Sequence, residues 1–359
     1  MPSGMTGQLK RYFRPEQLRE LSLIVLIALI FLFFSSQIEG YFSPRIFSRV
    51  TSDVAIIAVV ALGETLVLLT RNYDLSVGSI VGLTAFFVGK QLTAYADMQP
   101  ILAMLLAIGA GSCLGLINGL LVSYGRIPSI IVTLGTLAIY RATLVAYPGN
   151  KMVVINDLPQ WITELGSRQL FSIGEFSIRP VVAGGLVMFV IFQFVTSYLR
   201  FGRRLYAIGS NPEAARIGGL PSHRSVLLAF ILCGAIAGLA GFLYLVRYGN
   251  LNTAAANGME LKAIAAAVVG GVSTNGGKGT IMGALLGALM INLLQQSLLR
   301  WLVISNFWVD ALLGLLILIA VIIDSVIITR LSDLWNRRDQ EINPVDEKKV
   351  IKEKKGHAE

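Results

Sequence analysis

The chain has 359 residues, of which 55% are hydrophobic and 14% charged, and its mean hydropathy is +0.70. So little polar surface excludes an ordinary soluble domain and points to an all-α membrane protein, with apolar helical spans of ~20 residues. The net charge of +9 is no nucleic-acid signal, because no basic stretch is interleaved with the aromatics on which bases stack.

In chain order, residues 1–20 are a short N-terminal segment carrying Lys10, Arg11, Arg14 and Arg19. Ten apolar runs follow, at 21–36, 54–70, 75–89, 100–124, 128–147, 181–198, 225–246, 261–273, 279–299 and 302–323. The first resembles a signal peptide, but no small-residue cleavage site comes after it, so it reads as an uncleaved span. The third and eighth runs are short and interrupted by glycine. Residues 21–323 therefore read as one transmembrane domain, and 324–359 as a cytoplasmic tail whose Lys/Glu composition, ending EKKVIKEKKGHAE, cannot bury a core.

Basic residues are retained on the cytoplasmic side. With the N-terminus inside, 20 of the 30 lysines and arginines fall on cytoplasmic segments, nine outside, and Arg141 within a span. Eight of those 20 sit in the tail, leaving 12 against nine without it. Ten crossings return the C-terminus to the cytoplasm.

Polar groups inside the runs are the candidate working parts. Glu64 lies mid-span, where an unpaired carboxylate costs on the order of 3 kcal/mol, so it faces a partner, a cavity or a subunit interface. A pathway role and a structural ion pair are both open. Asp74-Leu75-Ser76 reads as an N-cap at the inner end of the third span. Asn118, Asn292, Gln295 and Gln296 add hydrogen-bonding groups to the fourth and ninth spans, usable by a hydroxyl-rich solute or by helix–helix contacts. Glu64, Asp74, Ser76, Asn118 and Glu260 are the residues expected on the translocation path or its gate. Arg141, near the outer end of its span, is expected to snorkel. Cys113 and Cys233 read as packing residues; neither they nor His223 and His357 suggest a metal site, and no cofactor is expected.

Glycines at Gly78, Gly82 and Gly89 and at Gly270-Gly271 mark the third and eighth spans as broken helices at matching places of an inverted repeat. A second likeness, GSIVG at 78–82 against GTIMG at 279–283, pairs the third and ninth spans in one orientation instead. Close helix packing accounts for Gly283-xxx-Gly287. The stretch 275–280, NGGKGT, lacks the P-loop's first glycine, at Val272, and its hydroxyl residue, at Gly279. An ATPase, where one is needed, is another chain.

Two soluble stretches remain. Residues 148–179 form an outer loop in which Trp161 and Phe171 can lie at the interface. Residues 199–224, LRFGRRLYAIGSNPEAARIGGLPSHR, form a long basic loop inside. Asn211 is placed to cap a short helix, Pro212 to start it and Gly218-Gly219 to stop it. The spacing of Glu213-Ala214-Ala215 to Gly219-Leu220 resembles the docking loop of permease subunits in bacterial ATP-driven importers. It implies that Asn211, Glu213, Ala214, Ala215, Gly219 and Leu220 couple transport to ATP hydrolysis.

The resemblance extends further. TLVLLTRNYDLSVGSIVGL at 65–83, RIPSIIVTLGTLAIYRA at 126–142, FGRRLYAIGSNPEAARIGGL at 201–220 and GMELKAIAAAVVGGVSTNGGKGTIMGALLGAL at 258–289 are similar to the permeases of ABC importers for ribose, xylose, arabinose, galactose, rhamnose and autoinducer-2. The autoinducer-2 and rhamnose branches look nearest, although Arg71-Asn72 stands where Gly-Gly is common. The resemblance implies a second permease subunit, the same or a similar chain, two cytoplasmic ATPases, a periplasmic solute-binding protein and a small sugar-like solute, in the inner membrane and in contact with lipid. The alternative is an ion-coupled secondary transporter using Glu64; an integral-membrane enzyme lacks paired acids, metal ligands or an activated nucleophile.

Overall fold

The structure, a computed structural model, describes residues 15–302 apart from 42 and 148–151, with scattered positions from 308 to 318. The chain divides into two units, Met1–Val309 and Asp310–Glu359, and the first holds all the helices and strands numbered in this article. Residues 1–14 of the expected N-terminal segment, most of the tenth run and the charged tail lie outside the described residues, and residues 15–20 of that segment are the first turns of α1 (Pro15–Gln37).

Helix starts follow local chemistry. Proline stands at the first turn of α1 (Pro15–Gln37), α2 (Pro44–Leu68), α4 (Pro100–Ser123) and α7 (Pro180–Tyr198), where its missing N–H costs nothing, and Pro128 caps α5 (Ser129–Ala146). The third span is α3 (Val77–Ala94). After α5 come a short helix α6 (Gln160–Ser167) and a hairpin of β1 (Phe171–Ile173) and β2 (Phe176–Ile178). The basic loop folds as α8 (Arg200–Ser210) and α9 (Pro212–Ile217), followed by α10 (Ser222–Tyr248), α11 (Met259–Val269) and α12 (Ile281–Trp301). Among the described residues eight helices, α1 to α5, α7, α10 and α12, are long and apolar enough to cross a membrane. The eighth expected span is α11, whose 11 residues reach ~16 Å at 1.5 Å each, about half a bilayer core.

The two halves interlock. The long helix α2 packs against α11 and α12 of the second half, and α10, its counterpart, packs against α3 and α4 of the first. Close approach depends on missing side chains: Gly111 and Gly115 of α4 meet Gly234 and Gly238 of α10 backbone to backbone, and Gly283 and Gly287 of α12 meet Gly270 and Ala266. The packing reading of Gly283-xxx-Gly287 holds. Of the cysteines, Cys233 is buried against Gly63, whereas Cys113 lies on the exposed face of α4 and fills no interior site. Trp161 donates its indole N–H to the Met98 carbonyl at 3.1 Å and leans on the body of the protein.

Candidate functional site

Helix α2 ends at Leu68, and the chain stays non-helical until α3 begins at Val77. This break folds inward, leaving Asp74 and Ser76 fully buried. The Asp74 backbone N–H donates to Glu64 Oε1 at 3.1 Å, and Asp74 Oδ1 accepts from the Ser76 backbone N–H at 3.0 Å and from its hydroxyl at 2.6 Å. Asn118, from α4, donates to Ser76 Oγ at 2.8 Å and to Asp74 Oδ1 at 3.4 Å. Tyr140 of α5 donates to the Leu114 carbonyl at 3.0 Å and to Asn118 Oδ1 at 3.4 Å. Four of the five expected path residues, Glu64, Asp74, Ser76 and Asn118, thus form one buried network, and Tyr140 joins it. Asp74 turns the chain into the helix through Ser76; of the expected Asp74-Leu75-Ser76 cap, Ser76 directly precedes the helix and Asp74 lies two residues before it. Glu64 faces this network and not lipid, and its Oε2 has no hydrogen-bond partner.

The fifth residue, Glu260, lies apart. Between α10 and α11 the chain re-enters: Leu251 pairs with Val153, Ala255 fits against Gly82, and α11 starts after Gly258 at φ 74°. The first turns of α3 and α11 touch where Gly78 leaves room for the Glu260 carboxylate. An acidic group at a helix N-terminus is favourable by some tenths of a kcal/mol to ~1, and Arg141 and Lys262 are its electrostatic neighbours. Arg141 does not snorkel. Its guanidinium donates to the Ala255 carbonyl at 2.8 Å, because the re-entrant segment supplies an acceptor inside the protein.

The basic loop has firm ends. Asn211 Oδ1 accepts from the Ala214 N–H at 3.0 Å, Pro212 opens α9, and Gly218 and Gly219 end it, Gly219 at φ 75° with open space around it. Ala215 is buried, while Glu213 and Ala214 are exposed. The loop is tied to the segment between α2 and α3 by a residue to which sequence reasoning gives no role. Arg71, at φ 64°, donates from Nε to the Gly209 carbonyl at 2.5 Å and from Nη2 to the Ser210 carbonyl at 2.8 Å. The Gly277 N–H donates to the Leu69 carbonyl at 3.1 Å, and Tyr206 to the Gly279 carbonyl at 2.9 Å. The left-handed backbone at Arg71 explains why glycine suits this position. A second network also escapes the sequence: Asp53 Oδ1 accepts from Arg247 at 3.0 Å and Tyr248 at 3.2 Å, and Oδ2 from Gln296 at 3.2 Å.

Residues 46–321 match the family described as the permease component of the branched-chain amino acid transport system. The chain belongs to that permease family. It is 36% identical over 317 residues, 88% of this chain and 87% of the relative, to the autoinducer 2 import system permease protein LsrC of Yersinia pseudotuberculosis serotype O:1b (strain IP 31758). It is 37% identical over 286 residues, 80% of this chain and 79% of the relative, to the LsrC protein of Yersinia pestis (strain Pestoides F). With eight membrane-spanning helices among its described residues, this permease is a multi-pass transport protein of the inner membrane.

Proposed function

We propose that this permease moves autoinducer 2, or a small sugar-like solute close to it, inward across the membrane, driven by ATP hydrolysis on a separate chain. The carrying observation is the 36% identity over 88% of the chain to an autoinducer 2 import permease. A second permease subunit completes the core, two cytoplasmic ATPase subunits drive it, and a periplasmic binding protein delivers the solute. Residues 21–323 do the transport, 199–224 the coupling, and the termini lie in the cytoplasm.

The mechanism is a population shift. ATP closes the ATPase pair, and α9, seated in a cleft of that partner through Asn211, Glu213, Ala214, Ala215, Gly219 and Leu220, moves with it. A short helix with capped ends transmits displacement as a rigid body. The network of Glu64, Asp74, Ser76 and Asn118 is the gate on which that displacement acts, with Glu260 at the opposing half-helix.

Reconstituted vesicles test this reading. Uptake should require ATP, the ATPase and the binding protein together; uptake driven by a proton or sodium gradient alone would instead establish the secondary transporter. Orientation has its own check. A Ser210→Cys variant, at an exposed position, should react with impermeant thiol reagents only from the cytoplasmic side, and labelling from outside would remove the argument for an ATPase partner.

Gly219 separates backbone shape from docking. Its left-handed backbone penalises a side chain by about 1–2 kcal/mol, less for asparagine. Gly219→Asn should retain most uptake, whereas Gly219→Trp, adding bulk to the docking face, should lower uptake several-fold at constant insertion. Equal uptake by both variants and the parent would exclude this end of the loop from coupling.

A further inference from the structure

A cavity of about 210 Å³ opens between α2, α10, the re-entrant segment before α11, the first turn of α11, and α12. It is separate from the Glu64–Asp74 network: none of Glu64, Asp74, Ser76 or Asn118 lines it. At the ~10–15 Å³ that one water needs, it has room for many waters and hence for a small solute.

Its chemistry is narrow. Asn257, Asn292, Gln295 and Gln296 supply amides, Tyr244 and Tyr248 supply phenols with ring centroids 4.4 Å apart, and Lys262 supplies an ammonium whose electrostatic neighbour is Glu260. Both oxygens of Asp53 are already engaged, by Arg247, Tyr248 and Gln296, so the carboxylate at the wall is neutralised. Asn292 is 2% exposed, yet its Oδ1 has no hydrogen-bond partner. A buried acceptor left in that condition is unfavourable, and a hydroxyl donor from a ligand removes the penalty. The paired tyrosines offer an apolar face beside these polar groups, which suits a ring that is hydroxylated at its edge and C–H lined on its face.

We infer that this cavity is a binding subsite for a neutral polyhydroxylated solute on its way through the permease, with Asn292 and Gln295 as hydrogen-bonding residues and Tyr244 and Tyr248 as the platform. The inference rests on the importer reading. The amide set also favours a neutral solute over the zwitterion of a branched-chain amino acid, because the two charged groups at the wall, Asp53 and Lys262, already face Arg247 and Glu260.

The test uses the assembled transporter carrying Gln295→Cys in a Cys113→Ser background, the buried Cys233 being left in place. The rate of reaction with a small water-soluble thiol reagent is measured alone and with autoinducer 2, L-rhamnose, D-ribose or L-leucine. Occupancy slows labelling by 1 + [L]/Kd, so a sugar-like solute at ~10 times its Kd should protect ~10-fold, and leucine should not. Asn257→Cys, on the exposed lip, gives the same readout where Gln295→Cys does not insert. Protection by leucine, or equal protection by every compound, overturns the subsite. So does unprotected labelling in vesicles whose parent transporter takes up autoinducer 2, and that result leaves the importer reading standing. Absence of ATP-driven uptake of any of these sugars by the parent transporter overturns the reading itself and the subsite with it.

Discussion

Replacing Asp74 with leucine is expected to cut uptake to about a tenth or less and to lower the yield of inserted protein. Three donors, the Ser76 N–H, the Ser76 hydroxyl and the Asn118 amide, converge on this carboxylate in a site with no exposure. A buried donor left without an acceptor costs about 1–3 kcal/mol, so the loss is a sizeable part of the ~5–15 kcal/mol that holds a domain folded. Asp74→Asn retains one acceptor oxygen and should recover most of the inserted yield. Glu64→Gln is the gentler companion. Its oxygen still accepts from the Asp74 N–H, and its new amide takes the place of the unpartnered Oε2, so insertion should be unchanged. Uptake by Glu64→Gln then reads charge alone, and Glu64→Leu reads the lost acceptor. Size-exclusion yield and vesicle uptake, measured side by side, separate folding from gating. Normal uptake by well-inserted Asp74→Leu would show that the network is not part of the gate.

How much of this is legible in the sequence depends on the range of the forces involved. The short helix α9 is readable because its determinants are local: Asn211 before Pro212 and a glycine pair after Ile217 fix both ends within a few residues. The shortness of the eighth span is readable from Gly270-Gly271 at its end, whereas Gly78, Gly82 and Gly89 do not break the third, because all three sit inside the continuous helix α3 and serve close packing instead; Glu64, Asp74, Ser76 and Asn118 stand out as polar groups in apolar runs. Their union does not show, because Asp74 and Asn118 are 44 positions apart and meet only when α4 packs beside the break. Asp53 is hidden for a different reason. The second helix begins at Pro44, well before the expected boundary at 54, so an intramembrane acid reads as a loop residue. Arg141 misleads because snorkelling assumes lipid and water as the alternatives, and a re-entrant backbone offers a third. The same segment hides the cavity, since Asn292, Gln295 and Gln296 can be assigned by type but not by what faces them.

Arg71 ties the segment between α2 and α3 to the basic loop, and under the proposed mechanism its replacement should uncouple them. The side chain holds the last two carbonyls of α8, Gly209 and Ser210, and only Asn211 separates α8 from α9. Three residues further along its own loop lies Asp74. A pull on α9 therefore reaches the buried network through a chain of bonded groups and not through soft packing. Hydrogen bonds from a charged donor contribute about 1.5–3 kcal/mol each, and partial exposure of this guanidinium puts the pair toward the lower end. Loss of ~1.4 kcal/mol of coupling corresponds to a tenfold effect, so Arg71→Ala should reduce uptake about tenfold while ATP hydrolysis continues. Stability is separated from coupling by Arg71→Gly, which relieves about 1–2 kcal/mol of left-handed strain and so should insert at least as well. Its uptake should nevertheless be as low as that of the alanine variant. Arg71→Lys, with one ammonium in place of a planar fork, should fall between. Wild-type uptake per ATP hydrolysed by Arg71→Gly would mean that force passes instead through the backbone contact of Gly277 with Leu69, and the role given to the arginine would be withdrawn.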